Sequence, residues 1–213
     1  MTERSSQATL DGDQIISDRI GARSVVLIGM MGAGKTTVGR RLAARLGWSF
    51  IDADHEIEVA ANLTIPEIFD RHGEAHFRDG EKRVIARLLE QNRQILATGG
   101  GAFMDDQTRS VIEDNGISVW LKADADLLMS RVKRKANRPL LQKPNPEKIL
   151  AELIDERYPV YAKANLTVDS RDVPHEVIVD DIIEALANYL DPDRDVGGQR
   201  GEVHDQQAQE IQE

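Results

Sequence analysis

The stretch SVVLIGMMGAGKT, residues 24–36, decides the fold. Its first part, Ser24 to Ile28, has the composition of a buried strand, and the rest fits the pattern G-x-x-x-x-G-K-[ST]. Glycines leave backbone N–H groups free to surround a phosphate, and the positive end of a following helix attracts the same anion. The next residues, TVGRRLAARL (37–46), have the amphipathic pattern of such a helix. We therefore predict a nucleotide phosphate-binding loop between a strand and a helix.

Two side chains of this loop have chemistry of their own. Lys35 stands where it can reach the β and γ phosphates of a nucleotide, and Thr36 can place its hydroxyl on Mg²⁺. The predicted nucleotide-binding residues of the loop are Gly32, Ala33, Gly34, Lys35, Thr36 and Thr37. The expected ligands are a nucleotide and its Mg²⁺ ion.

The composition limits the class of protein. A chain of 213 residues, of which 40% are hydrophobic, suits a single domain. The net charge of −10 argues against nucleic acid as a partner, because proteins that bind nucleic acid displace its counterions with a basic surface. The absence of cysteine excludes disulfides and thiol catalysis and fits a reducing cytoplasm. With no apolar run of signal-peptide or membrane-spanning length, we expect a cytoplasmic monomer that does not bind membranes.

Short apolar runs alternate with helical patterns along most of the chain. The predicted strands cover residues 24–28, 49–52, 94–97, 117–121 and 166–168. The predicted helices cover residues 36–46, 76–92, 105–115, 124–135, 146–164 and 174–190. This alternation is typical of an α/β fold with a parallel sheet, in which ligands bind at the carboxyl ends of the strands.

We expect flexible segments on both sides of a folded domain that covers residues 22–190. Residues 1–21 are polar and of mixed charge, which predicts a flexible N-terminal extension with, at most, a short helix. The residues that would contribute to that helix are Ile15, Ile16 and Ile20. Residues 191–213 lack apolar periodicity and are typical of a disordered C-terminal tail.

Two further strand ends carry groups that could meet the phosphate-binding loop. The second predicted strand leads into Asp52 and Asp54, whose side chains point the same way if the segment is extended. Capping of a following helix is the alternative, and it fits Asp54 well. Three glycines, Gly99 to Gly101, follow the third strand, and no side chain shields their backbone N–H groups. The sheet edge therefore offers an anion cradle, two carboxylates and a bare backbone turn.

Basic residues complete the set of candidates. Arg78 and Glu81 lie three apart on a predicted helix, so they form either a weak surface ion pair or an Arg that a Glu orients toward a substrate carboxylate. The run from Arg131 to Lys143 holds six basic residues and no acid, and prolines break its helical pattern. It is either a solvated loop or a mobile flap that neutralises a triphosphate and excludes water.

With these features together, the chain resembles the shikimate kinase family of small P-loop enzymes. The matching motifs are Gly29 to Thr36, Asp52-x-Asp54, Phe77-Arg78-x-x-Glu81, the triple glycine 99–101, Arg138-Pro139-Leu140-Leu141 and Glu156-Arg157-Tyr158-Pro159-Val160-Tyr161. The resemblance covers the predicted domain, residues 22–190. It implies a three-layer P-loop kinase fold in which helices flank a five-stranded parallel sheet, with a mobile lid at about residues 131–145 and a shikimate-binding helical region.

The resemblance also implies a reaction, the ATP-dependent phosphorylation of the 3-hydroxyl of shikimate to give shikimate 3-phosphate and ADP in aromatic amino acid biosynthesis. The implied catalytic residues are Lys35, Asp54 and Arg138. The implied shikimate contacts are Asp54, Arg78, Gly99, Gly100, Gly101 and Arg157, with Glu81 orienting Arg78. The implied nucleotide contacts outside the loop are Arg131, Arg138 and Pro174, and the implied Mg²⁺ ligands are Thr36 directly and Asp52 through water. Asp54 either takes the hydroxyl proton or only orients the hydroxyl, and the sequence leaves both roles open.

Other functions on the same scaffold, and one other class of protein, are alternatives. A gluconate kinase or a nucleoside monophosphate kinase would share the fold, but Arg78, Glu81 and the triple glycine argue against both. A small GTPase would need a guanine-binding N/T-K-x-D segment, which the sequence lacks. A protein that only binds a partner through its P-loop would not need the complete set of Lys35, Thr36, Asp52 and Asp54.

Overall fold

A five-stranded parallel sheet forms the centre of the computed structural model, which describes residues 12–91, 93–134 and 144–191. The strands are β1 (Ser24–Ile28), β2 (Ser49–Asp52), β3 (Gln94–Ala97), β4 (Gly116–Lys122) and β5 (Leu166–Asp169). They lie in the order β2-β3-β1-β4-β5, and every pairing is parallel. The predicted α/β fold is confirmed.

Helices cover both faces of this sheet. They are α1 (12–20), α2 (Lys35–Leu46), α3 (Ala53–Ala61), α4 (Ile65–Leu89), α5 (Asp106–Asn115), α6 (Ala125–Lys133), α7 (Pro146–Tyr161) and α8 (His175–Leu190), with a short 3₁₀ helix at Ala102–Met104. Helices α2 and α8 pack together on one side of the sheet, and α4 and α5 pack together on the other. The three-layer arrangement leaves the carboxyl ends of the strands open for a site.

Strand β1 occupies the middle of the sheet because its sequence is apolar on both faces. Val25, Val26, Leu27 and Ile28 are all 0% exposed, as expected for a parallel strand that has helices above and below it. It pairs with β3 on one side and β4 on the other. The loop that follows β1 is therefore flanked by the ends of both neighbouring strands.

Helix α4 begins earlier than the predicted helix at residues 76–92. It starts at Ile65 and is interrupted at Gly73, where φ is 81° and ψ is 173°. Its first turn is closed by a capping box, in which the backbone N–H of Thr64 donates to the Glu67 carboxylate at 2.8 Å. The pattern T-x-x-E is visible in the sequence and signals this start.

Helix α1 contrasts with the flexible N-terminal extension that the sequence predicts. Ile16 and Ile20 are four apart on one face of this helix and are buried in the core, while Ile15 is 55% exposed. The guanidinium of Arg45, on α2, donates to the buried Asp13 carboxylate at 2.7 Å. Apolar burial and this ion pair together hold α1 against the domain.

Part of the predicted architecture lies outside the described residues. Residues 135–143, which include Arg138 and most of the predicted lid, belong to this part, as do residues 1–11 and 192–213. Within the described ranges, no helix is both long and apolar enough to cross a membrane.

Candidate active site

The predicted site residues converge at the carboxyl edge of the sheet. A cavity of about 460 Å³ opens there between the phosphate-binding loop and the segment that precedes α8. The predicted residues that line it are Gly32, Gly34, Lys35, Thr36, Thr37, Asp52, Asp54, Gly100, Arg131 and Pro174. The others in the described ranges adjoin it through the loop or the triple glycine turn, namely Ala33, Arg78, Glu81, Gly99, Gly101 and Arg157.

The phosphate-binding loop requires glycine for two reasons. Gly29, Gly32 and Gly34 have φ values of 138°, 86° and 100°, in the region that other residues avoid. A Cβ at Gly29 would also lie 2.7 Å from the carbonyl oxygen of Leu121, on β4. The ammonium group of Lys35 lies across the loop and donates to the Gly29 carbonyl at 2.7 Å. The lysine charge is thereby held at the mouth of the cavity.

Asp52 uses its two carboxylate oxygens for different purposes. One oxygen accepts a hydrogen bond from the Thr36 hydroxyl at 3.0 Å. The other accepts a hydrogen bond from the backbone N–H of Asp54 at 3.2 Å, and Asp52 thereby caps α3. Capping therefore falls to Asp52 and not to Asp54. Two hard oxygen donors side by side fit Mg²⁺, which keeps several of its own waters and needs few protein ligands. The described residues contain no group of three or more His, Cys, Asp or Glu that could hold a metal ion.

Asp54 reaches the site from a helix, not from an extended segment as predicted. Strand β2 ends at Asp52, so Asp54 lies in the first turn of α3. Its carboxylate points toward the triple glycine turn, where a Cβ on Gly99 would lie 2.7 Å from the Asp54 oxygen. Burial raises the pKa of Asp54, and the nearby Asp52 charge raises it further, while the positive charge of Lys35 opposes both.

Arg78 and Glu81 form an ion pair whose carboxylate is buried, which excludes the surface-pair alternative. The Arg78 guanidinium donates to the Glu81 carboxylate at 2.7 Å, and Glu81 is only 2% exposed. Burial raises the pKa of Glu81, although the hydrogen bond and charge of Arg78 act in the opposite direction. A Cβ on Gly101 would lie 2.5 Å from an Arg78 nitrogen. The guanidinium thus rests directly on the bare backbone of the turn.

A second arginine approaches the same turn from α7. A Cβ on Gly100 would lie 3.3 Å from an Arg157 terminal nitrogen. The Nε–H of Arg157 is buried and has no hydrogen-bond acceptor among the described residues. Two guanidinium groups therefore flank consecutive glycines, which makes this part of the site suitable for a carboxylate.

Ser170, which the sequence did not single out, joins the far side of the cavity to the phosphate-binding loop. Its hydroxyl donates to the Ala33 carbonyl at 2.8 Å and accepts a hydrogen bond from Arg131 at 2.8 Å. Arg131 also donates to the carbonyl of Arg171 at 2.7 Å. These contacts fix Arg131 beside the cavity, which Pro174 also lines. No pattern in the sequence marks a lone serine after a strand for this role.

Comparison with known proteins agrees with this geometry. The family model described as shikimate kinase matches residues 31–187. The chain belongs to the shikimate kinase family. As a member of this family, it is an ATP-dependent phosphotransferase. Membership of the shikimate kinase family decides against the gluconate kinase, nucleoside monophosphate kinase and small GTPase alternatives.

Individual shikimate kinases match most of the chain. The shikimate kinase of Rhodopseudomonas palustris is 63% identical over 171 residues, which cover 80% of this chain and 84% of that protein. The solved structure of the Acinetobacter baumannii shikimate kinase in complex with shikimate is 38% identical, with a TM-score of 0.76 and coverage of 81% and 97%. The Aquifex aeolicus shikimate kinase is 33% identical, with a TM-score of 0.69 and coverage of 78% and 96%.

Asp54→Asn should make the protein more stable at neutral pH. Because the pKa of Asp54 is raised in the folded state, the folded protein binds this proton more tightly than the unfolded chain, and the ionised carboxylate reduces stability above the folded pKa. Asn removes that cost, and each kcal/mol gained raises Tm by roughly 2–4 °C in a chain of this size. The gain should shrink as pH falls through the folded pKa. Thermal unfolding across pH measures it.

The control for this prediction is Asp79→Asn, on the exposed face of α4. Its side chain is 62% exposed, and its ion-pair partner among the described residues is Arg83, at 3.3 Å, so loss of this charge should hardly change Tm. An Asp54→Asn protein that is no more stable than wild type at neutral pH would contradict the prediction.

Ser170→Ala should weaken ATP binding. The change removes the hydrogen bond that Arg131 donates to Ser170 and the one that Ser170 donates to the Ala33 carbonyl. One hydrogen bond of this kind corresponds to a factor of about three to ten in affinity. Titration calorimetry with ATP measures the effect. Ser118→Ala is the matched control, because Ser118 is equally buried but bonds to Asn165 on the far side of β4. Equal ATP affinities in both variants would show that Ser170 does not support the nucleotide site.

Proposed function

We propose that this protein transfers the γ-phosphoryl group of ATP to the 3-hydroxyl of shikimate, giving shikimate 3-phosphate and ADP for aromatic amino acid biosynthesis. The observation that carries the proposal is the meeting of Arg78 and Arg157 on the triple glycine turn, beside Asp54 and next to the phosphate-binding loop. An anchor for an anion, an acceptor for a proton and a cradle for phosphates are thus adjacent. The proposal includes action as a monomer in the cytoplasm, where ATP is maintained.

The two arginines would bind the carboxylate of shikimate. A guanidinium group can make two parallel hydrogen bonds to a carboxylate, so two of them fix both the position and the orientation of the ring. Glu81 holds Arg78 from the buried side through its 2.7 Å ion pair. This local positive charge accounts for the binding of an anion by a protein whose net charge is −10.

Asp54 would accept a hydrogen bond from the reacting hydroxyl. As the hydroxyl oxygen bonds to the γ-phosphorus, the bond from that phosphorus to the β–γ bridging oxygen breaks, and the hydroxyl proton passes to the Asp54 carboxylate. Phosphoryl transfer depends on alignment and charge stabilisation. An alcohol is a weak acid, so the proton moves late, after alignment. The raised pKa of Asp54 makes its carboxylate a better proton acceptor than an ordinary aspartate.

Thr36 and Asp52 would hold Mg²⁺, with Asp52 acting through water. The ion, when bound, neutralises charge on the β and γ phosphates. Lys35 supplies further positive charge from the mouth of the cavity. Arg131 and Pro174, which line the cavity from its far side, would flank the adenine. Arg138 completes the predicted charge around the transferred group, but it lies outside the described residues.

The direct test is ADP release from Mg–ATP with the purified protein. Shikimate, gluconate, nucleoside monophosphates and no acceptor are compared under one condition. Release that depends on shikimate, and is confirmed as shikimate 3-phosphate by mass spectrometry, supports the proposal. Release that another acceptor alone stimulates, or no release above background while ATP still binds, would overturn it.

Arg78→Lys should raise the KM for shikimate by more than about tenfold, because the charge stays but the two-bond geometry is lost. Steady-state kinetics with shikimate varied at saturating ATP measures the effect. Arg83→Lys, on the exposed side of α4, should leave the KM for shikimate at the wild-type value. An unchanged KM in the Arg78 variant would remove Arg78 from the carboxylate site.

A further inference from the structure

Tyr161, the last residue of α7, has a side chain that solvent does not reach. Its hydroxyl donates a hydrogen bond to the carbonyl oxygen of Gly100, in the middle of the triple glycine turn. The hydroxyl oxygen of Tyr161 also lies 3.8 Å from the sulfur of Met30, in the phosphate-binding loop. One side chain therefore joins the turn after β3 to the loop after β1.

The surroundings of Tyr161 keep its hydroxyl protonated, so that it can donate a hydrogen bond. Burial is the main cause that raises the pKa of Tyr161 to about 12, against the opposing charge of Arg157. The phenol is thus neutral at every pH at which the reaction would be assayed. The ring of Trp120 packs edge-on against Tyr161, with 5.9 Å between the ring centroids, and limits its movement.

The triple glycine turn needs an external anchor. Glycine backbones have access to more conformations than any other residue, and three in a row have no side chain with which to fix themselves. Arg157 and Tyr161 are four residues apart in α7 and so lie on the same face of that helix. The hydrogen bond from Tyr161 to Gly100 therefore ties the turn to the helix that carries Arg157.

We propose that Tyr161 is a positioning residue for the acceptor: its hydroxyl fixes the Gly100 peptide and the spacing between this turn and Arg157 that the shikimate carboxylate requires. The role rests on the proposed function, because Arg157 acts on shikimate, whereas Tyr161 acts on the Gly100 peptide and on Arg157 itself, with which its hydroxyl interacts directly. Phenylalanine would fill the same space without this hydrogen bond. The hydroxyl alone is therefore the group under test.

The test compares Tyr161→Phe with Tyr158→Phe in the full-length protein. Tyr158 lies one turn earlier on α7 and packs edge-on against Trp120, with 4.9 Å between the ring centroids. Its hydroxyl donates a hydrogen bond to the Ala123 carbonyl. Both variants lose one hydroxyl and one hydrogen bond to a backbone carbonyl. They differ in that only Tyr161 bonds to the triple glycine turn.

The expected result is a split between the two substrates. Tyr161→Phe should raise the KM for shikimate by about fivefold to tenfold, the factor for one lost hydrogen bond, with the KM for ATP unchanged. Tyr158→Phe should leave both KM values at the wild-type level. Thermal unfolding of both variants shows whether the two lose comparable stability.

Three outcomes would overturn the inference. The first is an unchanged KM for shikimate in Tyr161→Phe. The second is an equal rise in both KM values, in one or both variants, which would indicate a general loss of structure. The third is an unfolded Tyr161→Phe beside a folded Tyr158→Phe, which would assign the hydroxyl to stability. Wild-type protein assayed in parallel separates these failures from that of the proposed function, because the proposed function fails only if the wild type shows no shikimate-dependent turnover.

Discussion

The absence of side chains at Gly99, Gly100 and Gly101 is the constraint on which the acceptor half of the site depends. A Cβ on each glycine would occupy space that a different charged group fills. These groups are the carboxylates of Asp54 and Glu81 at Gly99, the guanidinium of Arg157 at Gly100 and that of Arg78 at Gly101. Groups from α3, α4 and α7 can therefore meet around one short length of backbone. With a larger residue at any of the three positions, the charged side chain that faces it would have to shift away from the turn.

This crowding brings carboxylates and guanidinium groups into a partly buried space. Burial of the charged carboxylates lowers the stability of the folded state, although the proposed reaction uses the same groups. Burial raises the pKa values of both Asp54 and Glu81, which means that their ionised forms are held at a cost in stability. Such a cost is common where side chains are placed for a reaction and not for packing. The ion pair with Arg78 limits this cost for Glu81, and the positive charges of Lys35 and Arg78 oppose it for Asp54.

The sequence predicts what local patterns determine. The five strands and the phosphate-binding loop follow from apolar runs and glycine spacing, and the structure places them within two residues of the predicted bounds. The role of the triple glycine turn was predicted in part, because its exposed N–H groups are visible in the sequence. The sequence does not show that the turn makes room for charged side chains, since these come from helices that are distant along the chain. Ser170 was missed, and Tyr161 was predicted only as part of a motif, without the contact of its hydroxyl. A single hydroxyl carries no periodicity, and its partner lies 137 residues away for Ser170 and 61 for Tyr161. Helix α1 was underestimated because the burial of Ile16 and Ile20 and the ion pair of Asp13 with Arg45 depend on residues that are distant along the chain.

The two bonds of Asp52 have a consequence for how this position can vary. One oxygen faces Thr36 and the other caps the helix that carries Asp54, so the proposed metal site and the proposed acceptor site share a single side chain. Asparagine at position 52 would keep one oxygen acceptor and replace the other with an NH₂ donor. Glutamate would carry both oxygens about one methylene further from the backbone. A substitution at Asp52 therefore cannot be interpreted as the removal of a metal ligand alone, since it also loosens the helix on which the proton acceptor stands. The two hydrogen bonds of Asp52 are therefore linked, because a change that alters one alters the other.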